Sequence, residues 1–159
     1  MLTRLPDLVT LYSQSDHRAF SAPQGVWQDA RFSLTLTQQE TLLADVQADE
    51  TPLCYLRLRW HFSDAEKRRE PIRIYGDAWE RAGGNLEWRG IVPERCMPWF
   101  MLVANGTDAQ QQRAGRLTEG FGVKTQPGAM CFWQYDAAGV TLWMDIRSGG
   151  EGVILGGGT

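Results

Sequence analysis

Two stretches of strict apolar alternation limit what this chain can become. In Leu53 to Phe62, the residues Cys54, Leu56, Leu58, Trp60 and Phe62 fall on one side and Tyr55, Arg57, Arg59 and His61 on the other. In Gly139 to Arg147, Val140, Leu142, Met144 and Ile146 fall opposite Thr141, Trp143, Asp145 and Arg147. A period of two is the period of a β-strand, whose successive side chains leave opposite faces, and it does not fit a helix. Each stretch therefore predicts a strand with one face in a core and the other turned outward. Shorter candidates are Leu8 to Tyr12, Phe32 to Thr37, Thr41 to Gln47, Ile72 to Tyr75, Leu86 to Val92, Trp99 to Ala104, Ala129 to Asp136 and Val153 to Leu155, punctuated by Gly, Asn, Asp and Pro. Asp136-Ala137-Ala138-Gly139 predicts a tight hairpin in which Gly139 takes a positive φ. Only Ser63 to Glu70 and Asp108 to Arg113 hold helix formers, and each run is too short to be more than a connecting turn. Many short strands with almost no helix make an all-β fold, a large antiparallel β-sandwich.

The length of 159 residues suits one domain spanning the whole chain, and a chain of that size buries roughly two thirds of its unfolded surface. A net charge of -3, with basic residues only in short clusters such as Lys67-Arg68-Arg69 between Glu66 and Glu70, speaks against nucleic acid as a partner. The N-terminus lacks an export signal and no stretch approaches a bilayer span, so neither a membrane nor secretion is expected and the home is cytoplasmic. Without export, the sequon Asn105-Gly106-Thr107 stays unglycosylated. Cys54, Cys96 and Cys131, odd in number and far apart, suit reduced thiols better than disulfides. The last candidate strand runs into Gly156-Gly157-Gly158-Thr159 with nothing after it to complete a sheet, so the chain reads as part of a longer protein.

No cofactor or metal is expected. Gly120-Phe121-Gly122-Val123-Lys124-Thr125 looks like a phosphate loop, but Val123 stands where Gly must precede Lys, and Pro127 interrupts the helix that should follow. The segment reads as a Gly-bracketed strand. His17 and His61 are far apart and no Cys pair has ligand spacing. There is no Gly-x-Ser-x-Gly nucleophile elbow. The densest segment is Gly76 to Arg89, which mixes Trp79 and Trp88 with Asp77, Glu80, Glu87, Arg81 and Arg89 among Gly and Asn. Such a mixture suits a sugar site, where indoles take the C–H faces of a pyranose and carboxylates and guanidinium groups take its hydroxyls. It equally suits a surface ion-pair network over two core tryptophans. Asp77, Glu80 and Glu87 also meet the bare requirement for a glycosidase carboxylate pair, as any acidic loop would. Trp133 and Trp143 put aromatics on both faces of their strands, which reads either as a core plus scattered surface rings or as a sheet with one face at an interface.

The order of the motifs carries a resemblance. Gly76-Asp77-Ala78-Trp79-Glu80-Arg81, Leu86-Glu87-Trp88, Pro98-Trp99-Phe100, Gly120 to Thr125, Cys131-Phe132-Trp133-Gln134, Leu142 to Gly150 and Gly152 to Gly156 follow one another as in bacterial α-galactosidase-like (melibiase, family 36-like) glycoside hydrolases. The match spans about Tyr75 to Gly157, while residues 1 to 74 fit only by strand pattern. What the resemblance implies is an N-terminal β-sandwich of the supersandwich type ahead of a (β/α)8 barrel, with a retaining mechanism whose two aspartates lie in the barrel, outside this chain. The domain alone is then inactive. Its partners are an α-galactoside oligosaccharide, the barrel of its own chain and, in an oligomer, further copies. In related enzymes a Trp of this domain lines the galactose pocket. Trp79 resembles it by position in the motif, with Asp77, Glu80 and Arg81 as neighbours in the substrate site. The chain departs from the pattern at Gly83, where an aromatic is expected and two glycines stand instead. A freestanding sugar-binding module using Trp79 and Trp88 as a platform is the alternative.

Overall fold

The computed structural model describes residues 4–14, 16–21, 25–28, 32–39, 41–48, 53–64, 66–67, 71–76, 87–105, 118–124 and 129–147. These form an all-β structure with strands β1 (Leu8–Ser13), β2 (His17–Ser21), β3 (Val26–Gln28), β4 (Phe32–Gln38), β5 (Leu42–Ala48), β6 (Leu53–His61), β7 (Ile72–Gly76), β8 (Met97–Pro98), β9 (Phe100–Asn105), β10 (Thr118–Gly122), β11 (Met130–Asp136) and β12 (Gly139–Asp145). All pairings are antiparallel, in one large sheet ordered β2-β1-β6-β12-β11-β8 and two small sheets ordered β10-β9-β7 and β3-β4-β5. No helix among the described residues is long and apolar enough to cross a membrane. Within Ser63 to Glu70 the described part is a capped turn, in which Ser63 O accepts from the amides of Glu66 and Lys67 and the Glu66 carboxylate accepts from Ser63 N and Oγ. The expected turn over Asp108 to Arg113 and the strand over Val153 to Leu155 lie outside the described residues.

The alternation of β6 and β12 sets the architecture. Leu56, Leu58 and Trp60 are buried on the inner face of β6, and the register aligns them with Met144, Leu142 and Val140 of β12 on one side and with Leu11 and Val9 of β1 on the other. From the small sheets, Leu34, Leu36 and Val46 and also Ile74, Val103 and Phe121 join the same hydrophobic cluster, so the sheets pack face to face over one core as a sandwich. Aromatic pairs bridge the layers, with Phe20 of β2 edge-on to Phe32 of β4 at 5.7 Å and Trp133 of β11 against Phe121 of β10 at 5.9 Å. A fully buried side chain such as Trp133 contributes about 1.5–3 kcal/mol relative to an exposed one.

Two local expectations are corrected. The Asp136 to Gly139 hairpin forms, but Gly139 does not adopt the left-handed region; Gly25, at φ 79°, is the described glycine that does. The turn is held by the Asp136 carboxylate, which accepts from Ala138 N at 2.7 Å and Gly139 N at 3.0 Å, an Asx-type turn. Gly139 is required for a different reason: a β-carbon there would penetrate the carbonyl of Trp60 across the β6–β12 pair. Gly139→Ala should lower stability by about 1–3 kcal/mol, whereas Gly122→Ala, whose added methyl meets only ordinary contacts, should change the unfolding midpoint little. Thermal unfolding of both variants checks this. The second correction concerns Trp99, expected to begin a strand. It is instead a pivot at φ 64°, where the chain leaves the large sheet after Pro98 and enters the small one at Phe100. A left-handed aromatic residue costs about 1–2 kcal/mol. Here it is held by Trp99 N donating to Cys131 O and by Trp99 O accepting from Val123 N and Trp133 Nε1. Leu86 to Val92 is not a strand in its described part, residues 87–92, where it makes a single bridge from Arg89 to Ile74.

Candidate functional site

Asp77, Trp79, Glu80 and Arg81 lie outside the described residues, as do all of residues 77–86. Both stems of that segment are described, and both are fixed to the sheet β10-β9-β7. The leading stem ends at Gly76, where any side chain would collide with Met97, so this glycine allows β7 to approach β8 closely. The returning stem carries Trp88, which packs on Tyr75 at 5.6 Å, and Arg89, which exchanges both backbone hydrogen bonds with Ile74 at 2.7 and 2.9 Å. Arg89 also pairs with Glu87 at 2.8 Å on the surface, one pair of the network that the ion-pair reading expects, whereas Trp88 is half-buried and not in the core and the remaining members lie outside the described residues. Sequence reasoning missed Arg95. Its Nη2 donates to Gly76 O at 3.3 Å, while its Nη1 is buried with no hydrogen-bond partner. Burial, and then the like charge of Arg89, hold its pKa below the usual arginine value. A lone Arg in an irregular stretch has no periodicity to mark it.

A second cluster lies on the outer face of the large sheet. Register places Arg57, Trp143 and Phe132 in one cross-strand row and Tyr12, Tyr55 and Asp145 in the next. The Trp143 ring lies 6.0 Å from Phe132 at an interplanar angle of 14° and 5.6 Å from Tyr12 at 34°. Tyr12 in turn stacks on His17. Gln134 orients the indole by accepting from Trp143 Nε1 at 2.8 Å. Arg147 grips Asp145 through Nε at 3.0 Å and Nη2 at 2.7 Å, holding the carboxyl below its usual range, and its guanidinium sits 4.6 Å over the Tyr55 ring. Arg57 stands 5.3 Å over Trp143. One row further, Arg59 is only 6% exposed and forks onto Asp136 at 2.7 and 2.8 Å, with Thr141 Oγ1 at 2.9 Å. The face thus mixes rings, arginines and carboxylates, although outward positions of a solvated sheet are ordinarily polar alone.

Trp133 and Trp143, side by side in sequence terms on paired strands, separate by face: Trp133 is buried in the core and Trp143 is half-buried outside. Among the described residues no three His, Cys, Asp or Glu side chains gather as a metal site. Cys54, Cys96 and Cys131 are free thiols, and burial pushes Cys131 up to about 12, so it is not a thiolate at neutral pH. Gly120 to Gly122 belongs to β10, paired with β9, as the strand reading expects. Compared with family models, with curated proteins and with solved structures, the chain matches none.

Proposed function

We propose that this chain is a non-catalytic, carbohydrate-associated β-sandwich domain of an α-galactosidase-like glycoside hydrolase, and that residues 77–86 help shape the sugar pocket of a following barrel. The observation that carries this reading is the pair of anchored stems. Gly76 and the Trp88–Arg89 return are both tied to the sheet β10-β9-β7, so the segment that carries Asp77, Trp79, Glu80 and Arg81 is bounded by two anchored stems. Binding groups on loops held by a rigid scaffold are the common arrangement for recognition. The resembling motifs add support, because their described parts run from the end of β7 through β12 and so include most of one small sheet and half of the large one.

In this reading Trp79 stacks on the apolar face of a terminal galactose, Asp77 and Glu80 accept from its hydroxyls, and Arg81 donates. The chemistry belongs to the barrel. The test is to express the whole coding product and compare it with Trp79→Ala on an aryl α-galactoside. Turnover by the whole product, none by residues 1–159, and a KM raised about tenfold, equivalent to about 1.4 kcal/mol of binding, are the expected results. Turnover by the 159-residue chain itself, or a Trp79→Ala enzyme with unchanged kinetics, would refute it. The second reading, a freestanding module, rests on the same mixture of Trp and polar residues; it gains if the 159-residue chain alone binds galactose or raffinose and Trp79→Ala abolishes that binding.

A further inference from the structure

The outer face of the large sheet carries Arg59 and Arg57 in neighbouring rows, with Arg147 just past the end of β12, and two of the three are matched to carboxylates. Arg59 forks onto Asp136 and Arg147 onto Asp145, each through two hydrogen bonds. Arg57, between them, has no hydrogen bond from its guanidinium to any described residue, and its Nε is buried without an acceptor. Its guanidinium stands over the neutral Trp143 ring instead. The sealed Nε meets no ligand, but the Nη groups are not sealed and donate to no described residue, so the guanidinium is left able to take an acceptor that the chain does not supply. Beside it, Tyr12 and Tyr55 are direct cross-strand partners in the β1–β6 register, both half-buried, and neither hydroxyl hydrogen-bonds to a described residue. The surroundings decide the kind of occupant. Val26 and Leu43, two of the large hydrophobics exposed among the described residues, belong to the sheet β3-β4-β5 and not to this face. Half-buried rings with unengaged hydroxyls and one unmatched guanidinium suit a small, polyhydroxylated anion.

We propose that this face binds an acidic sugar, a pyranose bearing a carboxylate. The Arg57 guanidinium receives the carboxylate through paired N–H donors, a geometry for which its planar fork is suited. Tyr12 and Tyr55 exchange hydrogen bonds with ring hydroxyls, and the Tyr12–Trp143 pair offers an aromatic contact for ring C–H groups. The site is separate from residues 77–86 and stands on a different observation from the proposed function.

Titration with galacturonate and with galactose, its neutral counterpart, tests the assignment, using tryptophan fluorescence with Trp143 as the built-in reporter. The expected result is saturable binding of galacturonate at least tenfold tighter than galactose and weakened by added salt. Arg57→Gln should remove that preference. Tyr55→Phe, which keeps the ring beneath Arg147, should weaken binding several-fold without altering the circular dichroism of the fold. Trp79→Ala should leave the galacturonate titration unchanged, so the pocket reading and this one fail separately. A folded chain that ignores galacturonate, or an Arg57→Gln variant that binds it as before, overturns the proposal. So does a change of mass in light scattering on Arg57→Gln with no response to galacturonate, which would assign the carboxylate to a second copy of the chain.

Discussion

Asp136→Ala is expected to lower the stability of the folded chain by about 3 kcal/mol, because it leaves the Arg59 guanidinium buried without its counter-charge. Arg59 is 6% exposed and can recover little hydration, and among the described residues Thr141 Oγ1 alone remains as its side-chain acceptor. The same substitution removes the two turn bonds to Ala138 N and Gly139 N. Asp136→Asn, which still offers an oxygen to the turn, should cost less, and the difference between the variants separates the turn from the charge. The pH dependence has a definite sign. Burial alone would raise the Asp136 carboxyl, but the Arg59 hydrogen bond, the amides of Ala138 and Gly139 and the Arg59 charge together bring it below 3.8. A carboxyl with a depressed folded pKa contributes stability above its unfolded value and loses it as pH falls through the folded value. Urea unfolding at neutral pH and again below pH 3.8 should therefore show the gap between the wild-type chain and Asp136→Asn narrowing in acid. A gap that stays constant would mean that Asp136 acts only through the turn.

The Arg59–Asp136 pair also shows where the sequence stops being legible. The alternation of β6 puts Tyr55, Arg57, Arg59 and His61 on one face, as the cross-strand register bears out, but it does not foretell that Arg59 is buried there. Which arginine is matched depends on residues far along the chain, Asp136 lying 77 positions from Arg59. Nothing in the spacing of β6 distinguishes Arg57 from Arg59. Strand existence is legible wherever apolar residues alternate, as in β1, β4, β5, β6, β9, β11 and β12. It fails for β2, whose His17 to Ser21 is mostly exposed at a sheet edge, and for the two-residue β8, which is made a strand only by pairing with β11. Trp99 is a comparable case. Its left-handed backbone is imposed by three tertiary hydrogen bonds, and no local propensity announces a Trp in that conformation. For residues 77–86 the sequence supplies composition and motif order, and the described structure adds the two stems.

Trp133 and Trp143 lie on neighbouring strands and look alike in sequence, yet truncation should cost the first far more stability than the second. Trp133 is 2% exposed, packs on Phe121, and its indole N–H reaches the carbonyl of the Trp99 pivot at 3.3 Å. Trp133→Ala therefore opens a cavity where the large sheet meets β10 and also withdraws one of the bonds that hold Trp99 at positive φ, and the expected loss is about 3–5 kcal/mol. Trp133→Phe fills most of that volume and should cost about 1–2 kcal/mol, chiefly the indole bond and its packing. Trp143 is half-buried, and its contacts with Tyr12, Phe132 and Arg57 lie on the outer face. Trp143→Ala should cost only about 1–2 kcal/mol, but it removes the ring beneath Arg57 and with it the aromatic part of the proposed acidic-sugar site. Urea unfolding of the three variants, followed by galacturonate titration of Trp143→Ala by calorimetry, gives the comparison. A large stability loss for Trp133→Ala beside a small loss and a binding defect for Trp143→Ala assigns the inner face to folding and the outer face to recognition. Equal losses would make the outer ladder a second core and remove the case for a ligand there.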